Sequence, residues 1–376
     1  MSAKSRPRRY QLSVVKLVLV VGLSSLLVSY RHDLSIFVEP RSSTSTTSAT
    51  VLGATNIGIQ GSDNLRREAS AESEGSDAAE RQIIIVTETK APVQLTINIA
   101  DSRNRLIVLI ASCPYLDLVD NLVQSLLVLQ LHNYVVVPLD EASRSYAMEL
   151  FGDEHVVGVP PFAPSLSGKQ AKFNSPAFAK ITSVRPQVLH AFLEQGFTIF
   201  YNDVDVVWRK NIFEVFDPSD EGGDKKNVDM VAMVDSHPVE EAFICSCYLY
   251  LKPTSPMKKF LLHWQSLLDN TTTKKPKKKK YKNDQEAIYD AYQDITKTKD
   301  GTKSSLQTTL YASDNEYFPS GAVYDVWPSE KQSNAYLVHN NFIRGHNFKI
   351  NRFLKWKLWN PSSKMEEMDL ECNAKA

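Results

Sequence analysis

Asp203 and Asp205 stand two residues apart in Asn202-Asp203-Val204-Asp205, directly after the apolar run 197–201. In an extended segment, positions i and i+2 project to the same side, so the two carboxylates would face one point. Paired carboxylates there suit a hard divalent cation that also binds phosphate oxygens. An aspartate pair occurs by chance in many chains, so its weight comes from its placement. Residues 176–195 read as a helix with Pro186 as an irregularity, and Gly196 ends it as a C-terminal cap glycine does. The run 197–201 is then a short buried strand that delivers the pair at its carboxyl end, where ligands of open α/β sheets bind.

The elements needed to hold such a strand are visible on both sides of it. Residues 83–86 and 95–99 read as strands, and 105–111 (RLIVLIA) is a stronger one, apolar throughout as a strand covered on both faces would be. Helical spacing of apolar residues over 116–131 follows, with Asp117 and Asp120 near its start. Strands are expected at 134–139 (YVVVPL) and 156–159, and helices at 257–268 and 285–292. This alternation predicts βαβ units and an α/β fold with a mostly parallel sheet flanked by helices.

Charge places the rest. The 376 residues carry 43 basic and 43 acidic side chains, which argues against a generally basic nucleic-acid binder. The balance is a sum of unlike regions. Lys4, Arg6, Arg8, Arg9 and Lys16 cluster before and within an apolar run, seven lysines lie in 274–282, and the remainder is net acidic. The run 11–30 (QLSVVKLVLVVGLSSLLVSY) is just long enough to cross ~30 Å of hydrocarbon, and the basic residues ahead of it orient the N-terminus to the cytosol. A cleaved signal peptide is the alternative, with small residues at 22–25. The sequence thus predicts a cytosolic tail (1–10), a signal-anchor helix (11–30), a Ser/Thr/Ala/Glu-rich stem (31–81), a lumenal domain (82–360) and a C-terminal tail (361–376). That layout is common among single-pass type II enzymes of the Golgi membrane.

Behind an anchor, the lysine run 274–282 (KKPKKKKYK) is not a nuclear signal. It reads as a solvated loop, or as a guide for an acidic partner. Asn270-Thr271-Thr272 is an N-glycosylation sequon. Cys113, Cys245, Cys247 and Cys372 allow three full disulfide pairings in an oxidising lumen.

Residues 174–208 resemble the D-x-D region of GT-A type glycosyltransferases. The likeness is specifically to the nucleotide-diphospho-sugar transferase family that includes plant rhamnogalacturonan-II xylosyltransferases and cell-wall arabinosyltransferases. The matching features are Lys180 on the helix, Gly196, the strand 197–201, and Asp203 and Asp205 followed by Trp208. A second block, 338–359, resembles the family's terminal pattern through His339, Asn340, Gly345, Lys349, Arg352 and Trp359. A third, Asn283-Asp284-Gln285, resembles an element that opens a helix near the sugar. One departure is the Cys245-Ser246-Cys247 segment, where the family has an Asn-x-Gly type turn near the donor sugar.

The resemblance implies a metal-dependent, retaining transfer from a nucleotide-diphosphate donor, a UDP-sugar, to a polysaccharide or glycoprotein acceptor. Asp205 and Asp203 would hold Mn²⁺ or Mg²⁺, with His339 as third ligand, since imidazole plus carboxylates suits Mn²⁺. Lys180 is carried over as a donor-binding residue; Gly345 would let backbone approach the diphosphate and Lys349 would add a point charge. Asp284 and Gln285 are placed beside the sugar as catalytic candidates; as a purely structural pair they would cap the helix that follows. The competing reading is a membrane-tethered carbohydrate-binding homologue that kept the fold and lost turnover, motivated by the Cys-Ser-Cys departure.

Overall fold

The computed structural model describes residues 99–164, 170–216, 228–234, 243–269, 283–296, 306–312, 315–370 and 372, together with the backbone of 81–87, 90–97 and 270–272. The tail, anchor and stem expected over 1–80, and the lysine run 274–282, lie outside these residues. Among the described residues no helix is long and apolar enough to cross a membrane.

In chain order, β1 (Arg81–Thr87) and β2 (Lys90–Ile97) pair with one another as an antiparallel hairpin. The first half of the domain continues with β3 (Arg105–Ala111), α1 (Leu116–Val128), β4 (Tyr134–Pro138), α2 (Glu141–Phe151), α3 (Pro176–Thr182) and α4 (Arg185–Glu194). Then come β5 (Thr198–Asn202), β6 (Val206–Trp208), α5 (Phe213–Phe216), β7 (Met230–Val234), β8 (Ile244–Leu251), α6 (Ser255–Thr272) and α7 (Asp284–Thr296). The chain closes with β9 (Thr308–Ala312), α8 (Gly321–Tyr324), α9 (Ser329–Gln332), β10 (Leu337–His339), α10 (His346–Trp356) and α11 (Ser363–Glu367).

The central sheet has six strands in the order β4-β3-β5-β8-β7-β9. Pairings β4/β3, β3/β5 and β7/β9 are parallel, and only β8 runs against its two neighbours. Alternate residues feed two cores. Leu106, Val108, Ile199 and Tyr201 face α4, α6 and α7 through Phe192, Trp264 and Ile288. Ile107, Leu109 and Phe200 face α1 and the aromatic cluster of Trp208, Phe213 and Phe216. Both sheet faces are therefore covered, which is why these strands read as unbroken apolar runs rather than alternating ones.

Three sequence expectations are corrected. Residues 156–159 form no strand; Val156 makes a single bridge to Val136, because the short turn Asp153–His155 brings the chain alongside β4 for one residue only. The helix over 176–195 is two helices. Ser183 and Val184 separate α3 from α4, and Pro186 fits in the first turn of α4, where its missing N–H breaks no bond. The helix over 116–131 stops at Val128, where Leu129 is its C-cap and Gln130 turns left-handed. Gly196 has φ of 81° and follows α4 as expected of a cap glycine.

The C-terminal segment packs on the domain over its described residues. Met365 of α11 is buried, Ser362 donates to Asp120 of α1 from both its N–H (2.5 Å) and its hydroxyl (3.0 Å), and Cys372 is bonded to Cys113 at the end of β3.

Candidate active site

Strand β5 ends at Asn202, whose side chain fixes the turn that follows. Its Oδ1 accepts from Trp208 Nε1 (3.1 Å), and its Nδ2 donates to the Asp203 carbonyl (2.9 Å). The Asp203 N–H donates to the Cys247 carbonyl of β8 (2.6 Å). The two-stranded pairing of β6 with β10 then sets Val206 opposite His339, and the Asn340 N–H donates to the Asp205 carbonyl (2.9 Å). This register brings a histidine from far along the chain to the aspartate pair.

Each carboxylate divides its two oxygens between different partners. Asp203 Oδ1 takes Arg185 Nη2 (2.6 Å) and the Tyr201 hydroxyl (2.9 Å), while its Oδ2 faces His339 Nε2 at 4.0 Å. Asp205 Oδ2 takes Lys349 Nζ, while its Oδ1 lies 3.5 Å from His339 Nε2. Asp205 and His339 are buried, and ligand atoms of Asp203, Asp205 and His339 all lie within 4.8 Å of one another. Burial pushes the Asp203 carboxyl up, with the Arg185 charge acting against it and the Asp205 charge with it. At Asp205 burial is outweighed by the Lys349 ammonium and the His339 imidazole, so its carboxyl is held far below the usual range. Two carboxylates and an imidazole at this spacing are the donor set for a Mn²⁺-like ion.

Behind the pair, Arg185 ties three segments together. Its Nη1 donates to Asp284 Oδ2 (2.8 Å) and to the Ser246 hydroxyl (3.2 Å), and the guanidinium lies over the Tyr201 ring. Burial would lower the Arg185 pKa, but Asp203 and Asp284 outweigh it and keep the guanidinium charged. Asp284 is 2 % exposed. It does not cap α7, because Asn283 Oδ1 accepts the Glu286 N–H (3.0 Å) and does that job. Gln285 follows in the first turn of α7, half-buried.

In front of the pair, α10 is capped by Gly345, whose φ is 100° and where an added Cβ would sit 3.0 Å from the Phe348 ring. Lys349, one turn on, also donates to the Asn340 carbonyl (2.9 Å), and Asn340 Oδ1 accepts from Arg352 Nε (2.5 Å). The helix opening is pinned to α1 by His346 Nε2 on Asp117 Oδ1 (2.8 Å).

The structure thus brings together Asp203, Asp205, His339, Lys349 and, through Arg185, Asp284, with Gly345 opening the helix that carries Lys349. Lys180 is exposed on α3 and has no ion pair among the described residues. Arg185 and Ser246 escaped the sequence reading. Arg185 carried only a weak signal: it is one of several polar residues on a stretch read as helical, and only its burial in the fold shows that it needs acidic partners. Ser246 carried no signal, being one small polar residue between two cysteines.

Residues 129–353 match the model of the nucleotide-diphospho-sugar transferase family. The chain belongs to that family. It is a nucleotide-sugar-dependent glycosyltransferase with a mixed α/β, GT-A-like fold. It is 30% identical over 264 residues to UDP-D-xylose:L-fucose alpha-1,3-D-xylosyltransferase 1 of Arabidopsis thaliana, covering 67% of this chain and 70% of that one. It is 22% identical to a beta-arabinofuranosyltransferase of the same plant, over 71% of this chain and 50% of that protein. Among solved structures, a glycosyltransferase involved in glycosylation of the major capsid of PBCV-1 overlays 67% of this chain and 99% of its own at 11% identity, with a TM-score of 0.39.

Proposed function

We propose that this chain moves a pentose, with xylose as first candidate, from a UDP-activated donor to a glycan hydroxyl. The transfer depends on a divalent metal and retains the anomeric configuration, in a lumenal domain tethered by residues 11–30 in the Golgi membrane. The observation that carries it is the convergence of Asp203 Oδ2, Asp205 Oδ1 and His339 Nε2, with Lys349 bound to the other Asp205 oxygen. The names of the Arabidopsis xylosyltransferase relatives support the donor and the alpha linkage. The basic residues ahead of the apolar run support the tether.

A divalent cation held by these three side chains would stabilise the charge of the departing diphosphate as a Lewis acid. Lys349 adds a cation beside that charge, and Gly345 keeps the opening of α10 free of a side chain. In the transfer, the bond from the sugar C1 to the diphosphate oxygen breaks and the acceptor oxygen bonds to C1. The acceptor proton passes to the departing phosphate. Asp284 has Oδ2 committed to Arg185, so its part is to position Arg185 and the start of α7, where Gln285 lies.

The test is release of UDP from UDP-xylose, UDP-arabinose and UDP-galactose by the full-length chain purified in detergent, with Mn²⁺ and with a chelator. UDP release that requires metal and favours a pentose donor supports the reading. Turnover undiminished by chelation, or absence of both turnover and Mn²⁺-dependent UDP binding, overturns it.

A further inference from the structure

The segment Cys245-Ser246-Cys247 lies against the same histidine as the aspartate pair. Strand β8 pairs Leu249 with Ala232 of β7 and then Cys245 with Met233, so Ser246, Cys247 and Tyr248 bulge away from β7. Tyr248 stays paired with Asn202 of β5, which holds the bulge over the turn bearing Asp203. The Cys245–Cys247 disulfide closes it. Cys245, Cys247 and His339 are all buried, and one ligand atom from each lies within 4.8 Å of the other two. His339 Nδ1 is buried and has no hydrogen-bond partner among the described residues. A metal-bound histidine usually donates its second nitrogen to a fixed acceptor. This ring keeps its second nitrogen uncommitted.

We propose that Cys245, Cys247 and His339 form, when the Cys245–Cys247 bond is reduced, a thiolate–imidazole site for a soft divalent cation of the zinc class. Thiolates select zinc over the hard ions that carboxylates prefer. Zinc with sulfur at ~2.3 Å and nitrogen at ~2.0 Å in tetrahedral array needs ligand–ligand separations of roughly 3.5–3.8 Å, which small side-chain adjustments within the observed cluster reach. Reduction by an external dithiol breaks the Sγ–Sγ bond and delivers two electrons and two protons, the reductant closing to its own disulfide. Metal entry then releases the two thiol protons as the sulfurs bind as thiolates. His339 is common to both sets. In the oxidised chain its Nε2 faces the aspartates, and in the reduced chain the same ring also has two thiolates within reach.

The test uses Co²⁺ as a spectroscopic stand-in for zinc on the full-length chain, oxidised and after native treatment with a dithiol that is then removed. The expected result is a gain of free thiols and a thiolate-to-cobalt charge-transfer absorption in the reduced chain only, at about one equivalent, displaced by Zn²⁺. Cys245→Ser and Cys247→Ser should each abolish the absorption, and His339→Ala should weaken cobalt binding by about tenfold or more. No gain of thiols under native conditions, or no charge-transfer absorption in the reduced wild-type chain, overturns the proposal without reference to any variant's folding. An undiminished absorption in both cysteine variants also overturns it, because the sulfurs would then be Cys113 and Cys372. None of these readouts depends on sugar transfer, so this outcome and that of the donor assay are separable.

Discussion

His339 Nε2 lies 3.5 Å from Asp205 Oδ1, on the opposite oxygen from the one held by Lys349. The carboxylate is therefore oriented by its ammonium partner and leaves one oxygen toward the histidine. Asp205→Asn keeps the shape but places an amide where a charged ligand is needed. We expect kcat/KM to fall on the order of 10²-fold or more, with Mn²⁺-dependent UDP binding lost in calorimetry; the melting temperature should fall as well, because Lys349 loses the charged carboxylate that pairs it. Retention of metal-dependent UDP binding by Asp205→Asn would remove Asp205 from the ion site.

Arg185 bridges the buried carboxylate of Asp284 and the half-buried one of Asp203, and the geometry uses both branches of its fork, Nη1 on Asp284 and Nη2 on Asp203. Arg185→Met leaves two acids without their cation, and breaking such pairs costs about 3–5 kcal/mol. Arg185→Lys presents one point charge in place of the fork and should recover only part of that. In the cycle Arg185→Met with Asp284→Asn, the double variant should be less destabilised than the sum of the singles, read from denaturant midpoints. Additivity would mean that the two side chains do not act as a pair.

Much of this arrangement was legible in the sequence because it is local. The apolar strand, cap glycine and following aspartates lie within ten residues, and their order needs no tertiary knowledge beyond the rule that sites collect at strand ends. The same holds for Gly345 and Lys349, one helical turn apart. What residue spacing alone could not yield is pairing between distant segments; His339 was tied to the aspartates only through the family resemblance. The β6/β10 register that sets His339 beside Asp205, and the reach of Arg185 to Asp284 across 99 positions, are products of packing. The split at Ser183 and Val184 was only half legible: the weak helix formers 181–184 and Pro186 mark an irregularity, but Pro186 fits the start of a helix as well as its interruption. Residues 156–159 misled because a β-branched run has strand propensity whether or not a partner lies alongside for more than one residue.

The contact from His346 to Asp117 makes a pH prediction. Burial lowers the His346 pKa, but the Asp117 hydrogen bond and charge outweigh it, and the net shift is upward from 6.5. A raised folded-state value means the protonated ring is favoured in the native chain. The stabilisation is fully present below the unfolded value near 6.5 and is lost as pH rises through the folded one. His346→Gln should therefore melt below wild type at pH 5.5 and converge with it toward pH 9. A gap that widens with pH would reverse the sign and sink the assignment.

The Cys113–Cys372 bond joins the end of β3 to the extreme C-terminus across 259 positions. Closing so long a loop restricts the unfolded chain, and the chain-entropy argument gives a stabilisation of roughly 5 kcal/mol, of which about 2–4 is commonly realised. The bond also holds down a segment with independent anchors. Ser362 donates twice to Asp120, whose carboxyl burial pushes up and the Ser362 hydrogen bonds draw down, and Met365 is buried. Cys372→Ser should lower the melting temperature by about 4–16 °C, taking ~2–4 °C per kcal/mol for a domain of this size. The loss should be reproduced by reducing the wild-type chain. Ser362→Ala in the Cys372→Ser background should lower it further, because the remaining anchors then carry the segment alone. If Cys372→Ser melts with wild type while reduction still destabilises, the stabilising bond is Cys245–Cys247, and the C-terminal segment is held by Asp120 and Met365 without it.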